Sequence, residues 1–180
     1  MTSHVAFLRG INVGGHRVKM DHLRALFEEL DVSDVWTFIA SGNVGFEAAA
    51  GDESALSEAI ESHLRESLGY DVATFLRTPE ELLAITRFEP EPRPKDGEFV
   101  SHYVMLLNEP APASLRSALA EITSDYDDFQ YDEREIHWRM RGKLTDSPLF
   151  GGTLEKAMRG FTNTSRNMTT LRRLVAKVGA

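Results

Sequence analysis

Leu8-Arg9-Gly10-Ile11-Asn12-Val13-Gly14-Gly15 sets three glycines, an asparagine and an arginine after a β-rich run, with Lys19 just before the next apolar repeat. Glycines between a strand and a helix let backbone N–H groups approach an oxyanion, and the helix start adds partial positive charge. The order fits neither the dinucleotide fingerprint nor the P-loop, whose lysine directly follows the last glycine. Two readings stand: an anion held by Arg9, Asn12, Gly14, Gly15 and Lys19, or glycines that only permit positive φ in a long turn. Ser41-Gly42-Asn43 is a second polar turn, where Ser41 and Asn43 either join the same anion pocket or satisfy turn backbones. Thr162-Asn163-Thr164-Ser165-Arg166-Asn167 precedes the last apolar repeat, and its hydroxyls and amides suit helix capping. Capping does not require Arg166, which makes that arginine the candidate oxyanion ligand of the segment.

No residue nominates itself as nucleophile or base. The absence of cysteine removes disulfides and thiolate catalysis. His4, His16, His22, His63, His102 and His137 lack metal-pair spacing, and Asp125, Asp127 and Asp128 lack the central glycine and distal glutamate of a calcium loop. Neither a metal nor a cofactor is expected. His16 is a conceivable acid–base group in the glycine loop, against its reading as a solvent-exposed turn histidine.

The elements that must position these residues follow from periodicity. His4 to Arg9 reads as a strand, and Met20, Leu23, Leu26, Phe27 and Leu30 form one helical stripe. Val35–Ile39 and Val44–Glu47 read as a hairpin, Leu56 to Leu68 as a helix ending at Gly69, and Val72–Arg77 as a strand. This βαββαβ order is that of a ferredoxin-like sandwich, whose first and second strands end on the same side. Both polar turns then share one rim. A short helix from Pro79 leads to Glu89-Pro90-Glu91-Pro92-Arg93-Pro94, which neither helix nor ladder accommodates. Strand Val100–Leu107, a helix around Leu115, strands Tyr126–Tyr131 and Glu135–Arg141 and a helix from about Thr153 repeat the pattern. Leu171, Leu174, Val175 and Val178 mark a last helix. The expected fold is therefore α+β, two ferredoxin-like halves with antiparallel sheets plus a C-terminal helix. The halves are 1–88 and 99–180, joined by a proline-rich linker at 89–98. Within the strand near residue 140, Ile136, Trp138 and Met140 would face the core, leaving His137, Arg139 and Arg141 as potential cations opposite.

A 42% apolar and 27% charged composition excludes a disordered tail, and no apolar run reaches the length of a membrane span. With no signal-peptide pattern, a cytoplasmic protein without membrane association is expected. The net charge of −8 conceals a division, since residues 137–180 carry +7 and the first 136 carry −15. One basic surface for an anionic partner is thus compatible with an acidic chain, as is a solubilising helix face paired with the acidic half.

The segments Leu8–Gly15, Val18-Lys19-Met20, Ala40-Ser41-Gly42-Asn43-Val44, Gly142-Lys143-Leu144-Thr145 and Thr164-Ser165-Arg166-Asn167 together resemble the bacterial family called domain of unknown function 1697. Met168 stands where that family typically has an aromatic residue. The resemblance implies two ferredoxin-like halves and no established activity, and it places Arg9, Asn12, Lys19, Ser41, Asn43, Lys143, Arg166 and Asn167 on motif positions.

Three functions are compatible with these features. One is binding of an anion, either nucleic acid or a phosphorylated small molecule. Another is an enzyme on a phosphate- or carboxylate-bearing substrate, with Lys19, Lys143 and Arg166 stabilising developing charge. The third is a self-assembly or interaction module. Nucleic-acid binding in the manner of the RNA-recognition motif requires exposed sheet aromatics, which makes the exposure of Phe7 and Phe46 diagnostic.

Overall fold

Alternation along the first strand decides which sheet face receives helices. The computed structural model describes residues 1–91 and 99–179. Its first half contains β1 (Thr2–Leu8), α1 (Met20–Glu28), β2 (Val32–Phe38), β3 (Asn43–Ala48), α2 (Glu53–Leu68), β4 (Thr74–Arg77) and α3 (Pro79–Arg87). The strands form an antiparallel sheet in the order β2-β3-β1-β4. Ala6, Leu8, Val44, Phe46 and Leu76 pack from one face of this sheet against Leu23, Leu26 and Phe27 of α1 and Ile60 and Leu64 of α2. Removing this apolar surface from water is the main force holding the half together. Val5, Phe7 and Phe75, on the opposite face, are buried too. Asp52 caps α2 through Ser54 N–H (2.9 Å), and Gly69, the C-cap that the sequence predicts, ends it at φ +81°.

The second half repeats the plan with β5 (Ser101–Leu106), α4 (Ala113–Ile122), β6 (Asp127–Asp132), β7 (Glu135–Met140), α5 (Gly152–Ala157), β8 (Thr164–Asn167) and α6 (Met168–Val178). Its antiparallel sheet runs β6-β7-β5-β8. Met105, Ile136, Trp138 and Met140 join Leu115 and Leu119 of α4 in its core. The α+β fold of two repeated halves is thus present, with one more correspondence: α6 follows β8 as α3 follows β4. Thr164–Asn167, expected as a capping loop, forms the strand β8 instead. Of the proline-rich stretch 89–98, residues 92–98 lie outside the described residues. Contacts group the chain into two units, Met1–Leu83 with Leu174–Ala180, and Ala84–Arg173.

Register makes the repeat visible at single residues. Leu8 N–H donates to Gly42 O (2.8 Å) and Leu107 N–H to Arg134 O (2.9 Å), closing the same corner of each sheet. Val5 pairs with Arg77 and Val104 with Arg166, so the two arginines are counterparts. Both are buried, and each donates Nη1–H to the preceding carbonyl, Leu76 O (2.6 Å) for Arg77 and Ser165 O (2.9 Å) for Arg166. The next residue in each half caps a helix. Thr78 N–H donates to Glu81 Oε2 (2.8 Å) and Glu81 N–H to Thr78 Oγ1 (3.3 Å), while Asn167 Oδ1 accepts from Thr169 N–H (2.8 Å).

Candidate functional site

Because β3 lies antiparallel between β1 and β2, those two strands run the same way, and the residues after them emerge at one end of the first sheet. Leu8 closes there on Gly42, which holds φ +73°, and a Cβ at Gly42 would stand 3.0 Å from Ile11 Cβ, so both the backbone conformation and the close approach favour glycine. Asn12, at φ +58°, ties the two turns together. Its Oδ1 accepts from Val18 N–H (2.7 Å), and its Nδ2 donates to Val18 O (3.1 Å) and Ala40 O (3.0 Å). Asn43 is fully buried and donates Nδ2–H to Phe38 O (3.0 Å) and Ser41 Oγ (2.9 Å). The sequence places Asn12, Ser41 and Asn43 near one another, and they are; the two asparagine amides bind turn backbone and fix the shape of the rim.

The cations lie outside this framework. Arg9 at the exit of β1 and Lys19 at the start of α1 are exposed, as is Arg17, which the sequence reading passed over. Among the described residues none of the three side chains makes an ion pair or a hydrogen bond. The readable signal for Arg17 was charge, because the first twenty residues contain these three cations and no carboxylate. Gly14 and Gly15 hold φ of +60° and +94°, and a Cβ built on either meets nothing within 4 Å, so the loop backbone lies open. The His16 ring stacks on Tyr70 with centroids 3.8 Å apart. Burial raises the Tyr70 pKa, and its hydroxyl has no hydrogen-bond partner among the described residues. Two apolar side chains complete the rim, Val13 at 58% exposure and Ile39 at 42%. Ile39 has φ +50°. For a β-branched residue that conformation costs on the order of 1–2 kcal/mol.

The second half offers an internal comparison. Where residues 9–19 join β1 to α1, the equivalent connection from β5 to α4 is the shorter 107–112. Leu107-Asn108-Glu109-Pro110-Ala111-Pro112 contains no glycine and no cation. Joining the two elements in this fold therefore needs neither.

The remaining motif residues belong to the second unit. Lys143 is exposed ahead of a single 3-10 turn, Leu144–Asp146, and its carbonyl accepts from the Tyr126 hydroxyl (2.9 Å). Arg166 is 7% exposed, and its Nη1 also donates to Thr164 Oγ1 (2.8 Å). Burial draws its pKa down to about 10. With Asn167 capping α6, the Arg166-Asn167 pair repeats what Arg77-Thr78 does in the first half. Arg77 had no sequence signal, since an arginine ending a strand is ordinarily exposed.

The strand face expected to show three cations does so only in part. His137 is fully buried, with its Nδ1 2.9 Å from His102 Nε2 and Phe88 stacked on its ring. Desolvation, then His102 and Arg139, hold His137 neutral with a pKa lowered to about 3. Desolvation, Arg139 and Arg172 lower His102 to about 4. Arg139 donates Nε–H to the buried Asp128 carboxylate (2.9 Å), and Arg141 donates Nε–H to Asp125 O (2.5 Å). Much of the positive charge read into this strand is therefore neutral or paired. Phe7 and Phe46 are 0% and 1% exposed, so base stacking on these two rings has no platform. A cavity of about 460 Å³ between α4 and α5 is lined by Ala118, Glu121, Ile122, Gly152, Thr153, Lys156 and Ala157, none of them a motif residue. Among the described residues no three acidic or histidine side chains gather as a metal site would require, and no helix is long and apolar enough to cross a membrane.

Fold and rim together define an α+β protein of two repeated halves, with a cationic, glycine-bearing β1–α1 loop where the equivalent β5–α4 connection has neither glycine nor cation. The chain belongs to the family described as Protein of unknown function (DUF1697), whose model matches residues 1–137. That span includes both turns of the rim and ends before Lys143, Arg166 and Asn167. Among solved structures, the conserved bacterial protein SP0830 from Streptococcus pneumoniae is similar over 100% of this chain and 99% of its own, with a TM-score of 0.73 and 20% identity. At that identity the likeness concerns the fold. No curated protein matches the chain.

Proposed function

We propose that the β1–α1 loop binds the phosphate or other oxyanion of a small molecule. Arg9, Arg17 and Lys19 supply charge, the open backbone at Gly14 and Gly15 supplies N–H donors, and Asn12, Ser41 and Asn43 hold the rim in place. The observation that carries the reading is three cations on one loop of an acidic chain that find no partner among the described residues, where the equivalent connection of the second half has no cation. Lys143 lies in the other unit and stays outside this assignment, and Arg166 and Asn167 are assigned to the framework. With His16 stacked on Tyr70 and no carboxylate among the loop residues, the reading stops at binding.

Titration with inorganic phosphate, followed through backbone amide shifts at low and high salt, tests it. The largest shifts are expected at residues 10–19, weakening as salt rises. Replacing Arg9, Arg17 and Lys19 together by serine should weaken binding about tenfold or more, since one charge-assisted hydrogen bond is worth roughly 1.5–3 kcal/mol. Shifts that avoid the loop, or an affinity that survives the triple substitution, would refute the proposal.

A further inference from the structure

We infer that the anion recognised at this rim carries an apolar substituent, and that Val13 and Ile39 select for it. The inference rests on the anion reading of the same loop. Asn12 Nδ2 bonds Ala40 O (3.0 Å), and Val13 and Ile39 are the chain neighbours of those two residues. Two large apolar side chains, 58% and 42% exposed, thus flank the hydrogen bond that joins the turns, beside the three loop cations.

Neither apolar residue belongs to the hydrophobic core of the first half. An exposed isoleucine gains little from burial, and at φ +50° it occupies a backbone conformation that asparagine or glycine adopts with less strain. Its conformation is imposed from both sides, by Asn43 holding Phe38 O and Asn12 holding Ala40 O. The equivalent hairpin of the second half turns at Glu133, a polar residue at φ +44°. Strain that the surroundings over-determine, on a side chain turned to solvent, belongs to recognition more than to stability. Inorganic phosphate has nothing to offer these side chains, whereas an aryl or alkyl phosphate covers them while its oxyanion meets Arg9, Arg17 and Lys19.

Methyl phosphate and phenyl phosphate, compared by amide-shift titration, carry the same headgroup and differ in the apolar part. Phenyl phosphate should bind about tenfold more tightly, the gain expected from covering roughly 50 Å² of apolar surface. Ile39→Gly and Val13→Ser should each reduce that preference, and together abolish it, with methyl phosphate affinity unchanged. Ile39→Gly relieves the left-handed strain, so an unchanged or higher melting temperature confirms that the variant folds. Equal affinities in the unsubstituted protein, or a preference that survives both substitutions, overturn the inference and leave the anion reading standing. Failure of both phosphates to perturb the loop refutes the anion reading itself, and this inference falls with it.

Discussion

Acidification should destabilise the second half through His102 and His137 well before most carboxylates titrate. The native structure holds both imidazoles neutral, with pKa values lowered to about 4 and about 3, against roughly 6.5 in an unfolded chain. A base whose native pKa is depressed contributes stability that is complete above the unfolded pKa and lost as pH falls below it. The loss ends only where the native groups themselves take up protons. At pH 5 the native pair is still neutral while an unfolded histidine is almost fully protonated. The cost at that pH is therefore governed by the unfolded value, at about 2 kcal/mol for each imidazole and about 4 kcal/mol for the pair relative to pH 7.5. The Nε2 of His137 is buried without a partner among the described residues, and an empty acceptor is more tolerable there than an empty donor, so the native tautomer places the His137 proton on Nδ1, donating to His102 Nε2. Urea unfolding between pH 7.5 and 5 should show the loss. The doubly substituted His102→Gln, His137→Phe protein should lose less over the same range, by up to about 2.7 kcal/mol per pH unit in slope. His102 and His137 resonances that titrate near 6.5 in the folded protein, or parallel stability curves for the two proteins, would refute the reasoning.

Two further outcomes separate framework from site. Asn12→Ala removes three hydrogen bonds at once, and a loss of about 1–3 kcal/mol is expected with faster amide exchange at Val18; unchanged protection there would mean the loop keeps its form without the tie. Arg77→Met and Arg166→Met, as counterparts, should lower stability by similar amounts, within about 1 kcal/mol of each other, and leave phosphate affinity unaltered. Should Arg166→Met abolish phosphate binding at unchanged stability, Arg166 is a ligand group and the equivalence with Arg77 is incidental.

Element order was readable because most strands and helices here bury one face, and burial imposes a period on the sequence. β1, α1, α2 and β7 are cases in point. β8 was not readable for the same reason: Thr164-Ser165-Arg166-Asn167 has no apolar alternation, and its conformation depends on pairing with β5, some sixty residues earlier. The equivalence of Arg77 and Arg166 resides in register, which no local pattern expresses. At the rim, residue types announced polar chemistry while their roles depended on partners. The sequence leaves Asn12 and Asn43 open between anion ligand and turn brace, and the structure engages their amides with turn backbone, whereas Arg17, which no motif marks, stands unengaged beside Lys19 among the described residues. The positive balance of residues 137–180 is incomplete in a similar way, because a sum over that segment cannot register that Arg139 is matched by Asp128, which lies outside it.

The unequal connections of the two halves bear on how such a rim can arise. One copy of the sandwich joins its first strand to its first helix in residues 107–112, so the longer 9–19 of the other copy is an elaboration, anchored to the first core by the buried Ile11 and Val18. Length and chemistry can drift at the exposed positions between those anchors, where the Asn12 tie to Val18 and Ala40 is the further restraint. A doubled framework thus leaves one crossover conservative and the other free to specialise, and relatives of this chain can differ in what they recognise while remaining alike in how they fold.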